Sequence, residues 1–423
     1  MMSESVETAR PVGYLELLRR NRDFRQIWLG QVISQMGDWF DTIALYSIVL
    51  RLTGSGRAVG LVLVARFLPT VFVGSLSGVI ADRFSRRTIM IVSDLLRAVI
   101  VLGFLLIRRP DQVWLVYFLT VLQLICSSFF EPARTAAIPS IVSERELVSA
   151  GAISSVTWSA MLTLGAAIGG VITGAFGTNA AFVLDSLSYL ASAALIASVK
   201  LPKRPPRMKS KLTVSRALGI ADTIEGARYV KERPRVFALL LVKSGWGLGG
   251  GILALLAVFG EKVFPVRGSG ATGIGVLYAA RGIGTAIGPI AARRLAGESL
   301  TSMQKAIGIG FFIGGIFYIA FGTATNFALA LIVLAVAHTG GSILWVNSTV
   351  LLQRIVEDNF RGRVFATDFA LLTLTMAVSN YVTGELLDRF GFSPRTVTIG
   401  IGALFLLPAV LWFATMRWWN RDV

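Results

Sequence analysis

Long apolar stretches separated by short polar connections run along almost the whole chain. They are predicted to be helices near residues 25–51, 57–80, 88–108, 112–139, 149–174, 178–199, 236–261, 270–295, 303–323, 326–354, 362–388 and 395–416. A helix needs about 20 apolar residues to cross the hydrocarbon core of a bilayer. The backbone must satisfy its own hydrogen bonds there, which favours helices over other forms. The pattern therefore predicts an all-α integral membrane protein with twelve transmembrane helices.

One connection is long. Residues 200–235 open with Pro202, Pro205 and Pro206 among Lys203, Arg204, Arg207, Lys209 and Lys211, a linker composition. A mixed polar and apolar run from Val214 to Val230 follows and is predicted to lie as a helix on the membrane surface. The linker divides the chain into a six-helix bundle at 1–199 and a second at 236–423. Two stretches recur between these parts. Gly78-Val-Ile-Ala-Asp82-Arg83 is echoed by Gly288-Pro-Ile-Ala-Ala292-Arg293-Arg294, and Val171-Ile-Thr173-Gly174 by Tyr381-Val-Thr383-Gly384. The steps from 78 to 288 and from 173 to 383 are both 210 residues, as expected of two pseudo-symmetric bundles. Small residues four apart, such as Gly170 and Gly174 or Gly284 and Gly288, let membrane helices approach closely. The run Gly282-Ile-Gly284-Thr-Ala-Ile-Gly288 lies inside an apolar helix with no strand before it, so it reads as packing and not as a nucleotide loop.

Composition sharpens this picture. Of 423 residues, 54% are hydrophobic and 15% charged, fewer charges than soluble domains carry. The net charge of +17 does not indicate nucleic acid, because the basic residues flank apolar runs. The more basic set of connections holds the N-terminal arginines, Arg83 to Arg87, the linker, Arg293 and Arg361, so both termini are expected in the cytoplasm. One cysteine, Cys126, and one histidine, His338, leave no ligand cluster for a metal. No cofactor is expected. Neither an ATPase motif nor a nucleophile–base–metal constellation is present, so the chain is not read as an enzyme, and any transport would be driven by an ion or substrate gradient.

Charges within the apolar runs are expensive and mark functional candidates. Gln31, Gln35 and Asp38 form a polar stripe on the first helix. Asp41 on the first helix and Arg66 on the second fall at matched depth, about 15 and 13 Å from the same side. Arg66 is expected to pair with Asp41, or failing that with Asp38. One aspartate would bind a proton or a cationic group of the cargo; a purely structural ion pair is the alternative. Asp185 and Arg281 are further candidates, Arg281 for an anionic group of the cargo. Lys243 and Asp368 could be partners across the seventh and eleventh helices. Toward the cytoplasm, Asp82, Arg83, Arg86, Arg87, Asp94, Arg97, Glu131 and Arg134 form one charged layer; here the alternative is a static basic anchor.

Gly78-x-x-x-Asp82-Arg83-x-x-Arg86-Arg87 resembles the signature loop of the major facilitator superfamily. Gln31-Val-Ile-Ser-Gln35-Met-Gly37-Asp38-Trp39, Arg66-Phe-Leu-Pro69, Asp94-Leu-Leu-Arg97-Ala98 and Phe130-Glu-Pro132-Ala133-Arg-Thr-Ala136 resemble the branch of the enterobactin exporter and the macrolide efflux pumps. Asp185-Ser-Leu-Ser-Tyr189 and Glu225-Gly226-Ala-Arg228-Tyr229 also fit that branch. The likeness covers nearly the whole chain and departs at Ala292, where the second repeat lacks the signature acid. It implies a monomeric secondary transporter in a bacterial cytoplasmic membrane, surrounded by lipid, that exports amphipathic small molecules in exchange for protons. It also implies that the charged layer locks the inner face while the protein is open outward. An importer or lipid transporter on the same fold is the alternative, and a membrane sensor or channel is a more distant one.

Overall fold

The computed structural model describes residues 12–202, 220–297 and 299–419. After a short helix α1 (Tyr14–Arg20) come α2 (Arg22–Thr53), α3 (Gly56–Arg83), α4 (Arg86–Gly103), α5 (Val113–Ala137), α6 (Glu144–Ala160) and α7 (Ala166–Ala197). The second part holds α8 (Ile220–Lys231), α9 (Pro234–Gly247), α10 (Ile252–Val258), α11 (Gly270–Ala296), α12 (Leu300–Thr323), α13 (Phe327–Ile355), α14 (Asp358–Asp388) and α15 (Pro394–Trp419).

Among the described residues, eight continuous helical runs are long and apolar enough to cross a membrane. One of them, Glu144–Ala197, has 54 residues. At 1.5 Å per residue that is about twice the span of a bilayer. Gly177 breaks it with φ 82° and ψ 169°, a conformation open to glycine, and so separates two crossings. Helices α2, α3 and α14, with 32, 28 and 31 residues, are also long enough, but they carry the charges discussed below. The arrangement is consistent with twelve spans, and the chain returns to the face on which it began. We call this the basic face, since Arg22, Arg86, Arg293 and Arg361 lie at helix ends on it, and the opposite one the far face.

Helix ends are set locally. Asn21, Ser55, Ser85, Ser269, Ser299 and Asn326 each accept a hydrogen bond from the backbone three residues on. Gly54 closes α2 in the left-handed conformation. On the basic face, Arg87 donates to the carbonyl oxygens of Ile196 and Ala197 at the end of α7, and Arg86 donates to that of Ala136 near the end of α5. These cations meet the negative ends of two helices.

The two bundles touch along glycine-lined seams. A Cβ on Gly170 of α7 would lie 2.8 Å from the Cα of Gly275 on α11, and one on Gly60 of α3 would lie 2.6 Å from the carbonyl oxygen of Asn380 on α14. Gly284 faces the Ala335 carbonyl in the same way, in keeping with packing as the role of that glycine run. Helix α8 is docked against α14. Gly226 sits on the Arg363 carbonyl, Tyr229 stacks on Phe360 at 4.3 Å, and Glu225 and Arg233 pair with Arg363 and Glu357. Residues 203–219, which hold most of the linker and the start of its expected surface helix, lie outside the described residues.

Candidate functional site

Asp38 lies near the middle of α2, and its side chain is 36% exposed. The other acids near it are closed off: Asp41, Asp94 and Asp185 are each 0% exposed. Asp38 is thus the open member of a buried acidic group.

Arg97 organises that group. Its guanidinium pairs with Asp94, three residues earlier on α4, and lies 4.0 Å from an oxygen of Asp38. It also sits over the rings of Tyr189, at 4.3 Å, and Phe130, at 4.7 Å. A cation clamped between aromatic faces and two carboxylates has few alternative positions. The Tyr189 hydroxyl donates to Asp38. The Gln123 amide donates to Tyr189 Oη and to Asp41 Oδ2, both at 3.1 Å. Asp41 therefore joins Asp38 through two neutral side chains. Asp185 accepts from Ser188 at 3.2 Å, and both press on the bare Cα of Gly37, next to Asp38. One oxygen each of Asp41, Asp94 and Asp185 is buried without a hydrogen-bond partner.

Two expectations change. Arg66 does not take Asp41 or Asp38: it donates to Thr42 Oγ1 at 2.8 Å, and Thr42 in turn donates to the Asp38 carbonyl. Arg97 holds Asp38 instead. Depth along a helix axis fixes the level of a charge but leaves open which way it faces, and Arg97 faces α2. The single charged layer also splits. Asp94 and Arg97 belong to the Asp38 group, whereas Arg134 binds Glu131 at 2.8 Å and Gln31 at 2.9 Å nearer the basic face. Gln35 is half-buried, and its amide oxygen has no partner. The surroundings of Gly78, Asp82 and Arg83 lie outside the described residues. Tyr189 and Gln123 were not singled out as site residues. Their sequence signal was there: Tyr189 follows Asp185 at helical spacing, and Gln123 interrupts an apolar run.

The second bundle carries a different arrangement. Lys243 on α9 and Asp368 on α14 form an ion pair at 2.6 Å, with both side chains at most 5% exposed. The ammonium lies over Trp345 at 4.9 Å, and Trp345 meets Trp246 edge-on at 5.9 Å. Arg281 on α11 stands over Tyr278 at 5.8 Å, and Tyr278 packs against Trp39 and Tyr46 of α2 across the bundle interface. Among the described residues no acid lies within ion-pair distance of Arg281, and its Nε has no partner. His338 meets the Tyr318 hydroxyl at 3.3 Å.

Polar contacts between the bundles gather toward the far face. Arg57 pairs with Glu385 at 2.9 Å, Ser47 donates to Glu261, and Lys262 donates to the Gly54 carbonyl at 2.6 Å. The far face is shut.

A buried charge cluster between helices, with the two bundles joined at one face, is compatible with the layout of an alternating carrier. The profile of the transmembrane secretion effector family matches residues 17–422. The chain belongs to this family of the major facilitator superfamily. Among its family relatives, the MFS-type transporter YfiS of Bacillus subtilis is 24% identical over 402 residues, covering 91% of each chain. Macrolide efflux protein A of Streptococcus pyogenes is 25% identical over 375 residues, 87% of this chain and 90% of that one. The superfamily fold is also that of a bacterial homologue of the human lysosomal transporter Spinster, solved in an inward-facing, unoccupied conformation. It aligns with a TM-score of 0.72 at 16% identity over 96% of this chain and 98% of that one. As a family member, the chain is a multi-pass membrane transporter for a small molecule.

Proposed function

We propose that the protein is a proton-coupled exporter of amphipathic, cationic small molecules, with the Asp38 group as the site where proton and cargo compete. The observation that carries this is a charge imbalance. Four carboxylates, Asp38, Asp41, Asp94 and Asp185, lie around two guanidiniums: Arg97, which pairs with Asp94 and Asp38, and Arg66, which donates to Thr42 beside Asp41. An uncompensated charge in a low-dielectric interior costs several kcal/mol. The cluster is therefore short of two positive charges, which protons or the ammonium of a cargo supply. Asp38 receives them, since it is the exposed member. Arg281, with no acid beside it among the described residues, contacts the polar part of the cargo from the second bundle.

In this reading the basic face is cytoplasmic, following the distribution of arginine and lysine, and the membrane is a bacterial inner membrane. The far face is then extracellular, and cargo enters from the cytoplasm. A relative named as a macrolide efflux protein supports export of amphipathic compounds over import.

The test is transport in proteoliposomes with an imposed pH gradient and a panel of amphipathic amines. Asp38→Asn should abolish transport driven by the gradient, while Asp111→Asn, on the far surface, should leave it unchanged. Equal transport by Asp38→Asn and wild type at every pH would reject proton exchange at this group.

A further inference from the structure

At the far ends of α3 and α14, a carboxylate of one bundle caps a helix of the other. Asp388, the last residue of α14, accepts from the backbone N–H groups of Gly56 at 3.1 Å and Arg57 at 2.9 Å, and from the Ser55 hydroxyl. The Ser55 hydroxyl in turn accepts from Ala58 N–H at 2.9 Å. The first three N–H groups of α3 are thus satisfied together, two of them from across the interface. One turn before Asp388, Glu385 pairs with Arg57. Gly384 brings the backbones close enough for this, since a Cβ there would meet Arg57 Cα at 2.5 Å.

The charges sit badly on their own helix. The C-terminal turn of a helix carries partial negative charge and favours cations, while its N-terminal turn favours anions. The last turn of α14 has two acids and no basic residue, and the first turn of α3 has no acid of its own. Each helix lacks what the other supplies, and only while the far face is shut. The sequence marks the place. Gly384-Glu-Leu-Leu-Asp388-Arg389-Phe390 has the spacing of Gly78-Val-Ile-Ala-Asp82-Arg83-Phe84 at the opposite end of the partner helix.

We propose that Asp388 is the positioning residue of an extracellular latch: it holds the far face shut by capping α3 and releases that helix end to water when the carrier opens outward. The inference rests on the reading of the chain as an alternating carrier, but its test needs neither cargo nor protons. In a Cys126→Ser background, spin labels at Asp111→Cys and Phe392→Cys report the distance between the bundles on the far face of purified protein in nanodiscs. Asp388→Ala should raise the long-distance population relative to the short one by about two- to thirtyfold, the range for loss of a helix cap. Asp388→Asn, which keeps an acceptor and loses the charge, should fall between. An unchanged distance distribution in both variants overturns the latch, and so does a lower melting temperature with no change in distance. Failure of pH-driven transport with the expected shift in distance would instead reject the exchange mechanism and leave the latch standing.

Discussion

Arg97 is the residue on which the first bundle's chemistry turns. Its guanidinium touches Asp94, approaches Asp38 and lies between two aromatic rings, and its side chain is 3% exposed. Removing one partner of a buried ion pair costs about 3–5 kcal/mol, because the other charge remains. Arg97→Ala should therefore lower stability in thermal unfolding by that amount, and Arg97→Ala combined with Asp94→Ala should recover part of it. Tyr189→Phe removes one hydroxyl from the bridge between Asp38 and Gln123. It should cost about 1 kcal/mol, typical of a single hydrogen bond, while disturbing the pH profile of transport far more than the stability. The acids themselves were legible in the sequence, since a charge in an apolar run stands out. Their partners were less so. Residue counting puts Arg66 level with Asp41 and Arg97 in the layer toward the cytoplasm, and which arginine reaches Asp38 depends also on helix rotation, which an apolar pattern encodes weakly when both sides of a helix face other helices.

At the scale of elements, the paired helices of the second bundle test whether charge or shape matters. Lys243 and Asp368 meet at 2.6 Å with almost no exposure, the partnership across the seventh and eleventh helices that the sequence suggests. Asp368→Leu alone should destabilise by about 3–5 kcal/mol, whereas Asp368→Leu with Lys243→Met should recover most of that. A double-mutant cycle on thermal unfolding measures the difference; full loss in both would mean that the pair is required for the fold itself. The helices as such were predicted well, because hydropathy and helix capping agree at most boundaries. The exceptions are physical. The third predicted helix ends early, at Gly103, and passes into a single tight turn, Phe104–Leu106. The fifth and sixth run on as one helical stretch because Gly177 turns the chain without a polar loop. The expected surface helix is docked on α14, because Gly226 lets it sit directly on that backbone.

For the whole molecule, the consequence is a carrier shut on one face. In an alternating cycle the contacts of that face break once per turnover. An Arg57→Cys, Glu385→Cys pair, oxidised to a disulfide, should therefore stop transport in proteoliposomes, and reduction should restore it. Transport that continued while the bridge was intact would show that the far face does not open by separating α3 from α14. Proline and lysine content predicts a linker between the two bundles, most of which lies outside the described residues. The contacts that join the far face are not readable in this way, since their residues come from opposite halves of the sequence.

The seam along which the bundles meet has one more implication. Gly60, Gly170, Gly275 and Gly384 bring backbone against backbone. A glycine has no rotamers to lose, whereas immobilising a long side chain costs up to about 2 kcal/mol in entropy. Bringing these surfaces together therefore freezes few rotors, and separating them frees few. The balance between the two shapes is left to a handful of polar contacts that water can replace. A machine that must visit both shapes in every turnover runs fastest when neither is a deep well, and stretches of seam poor in side chains help to keep both wells shallow.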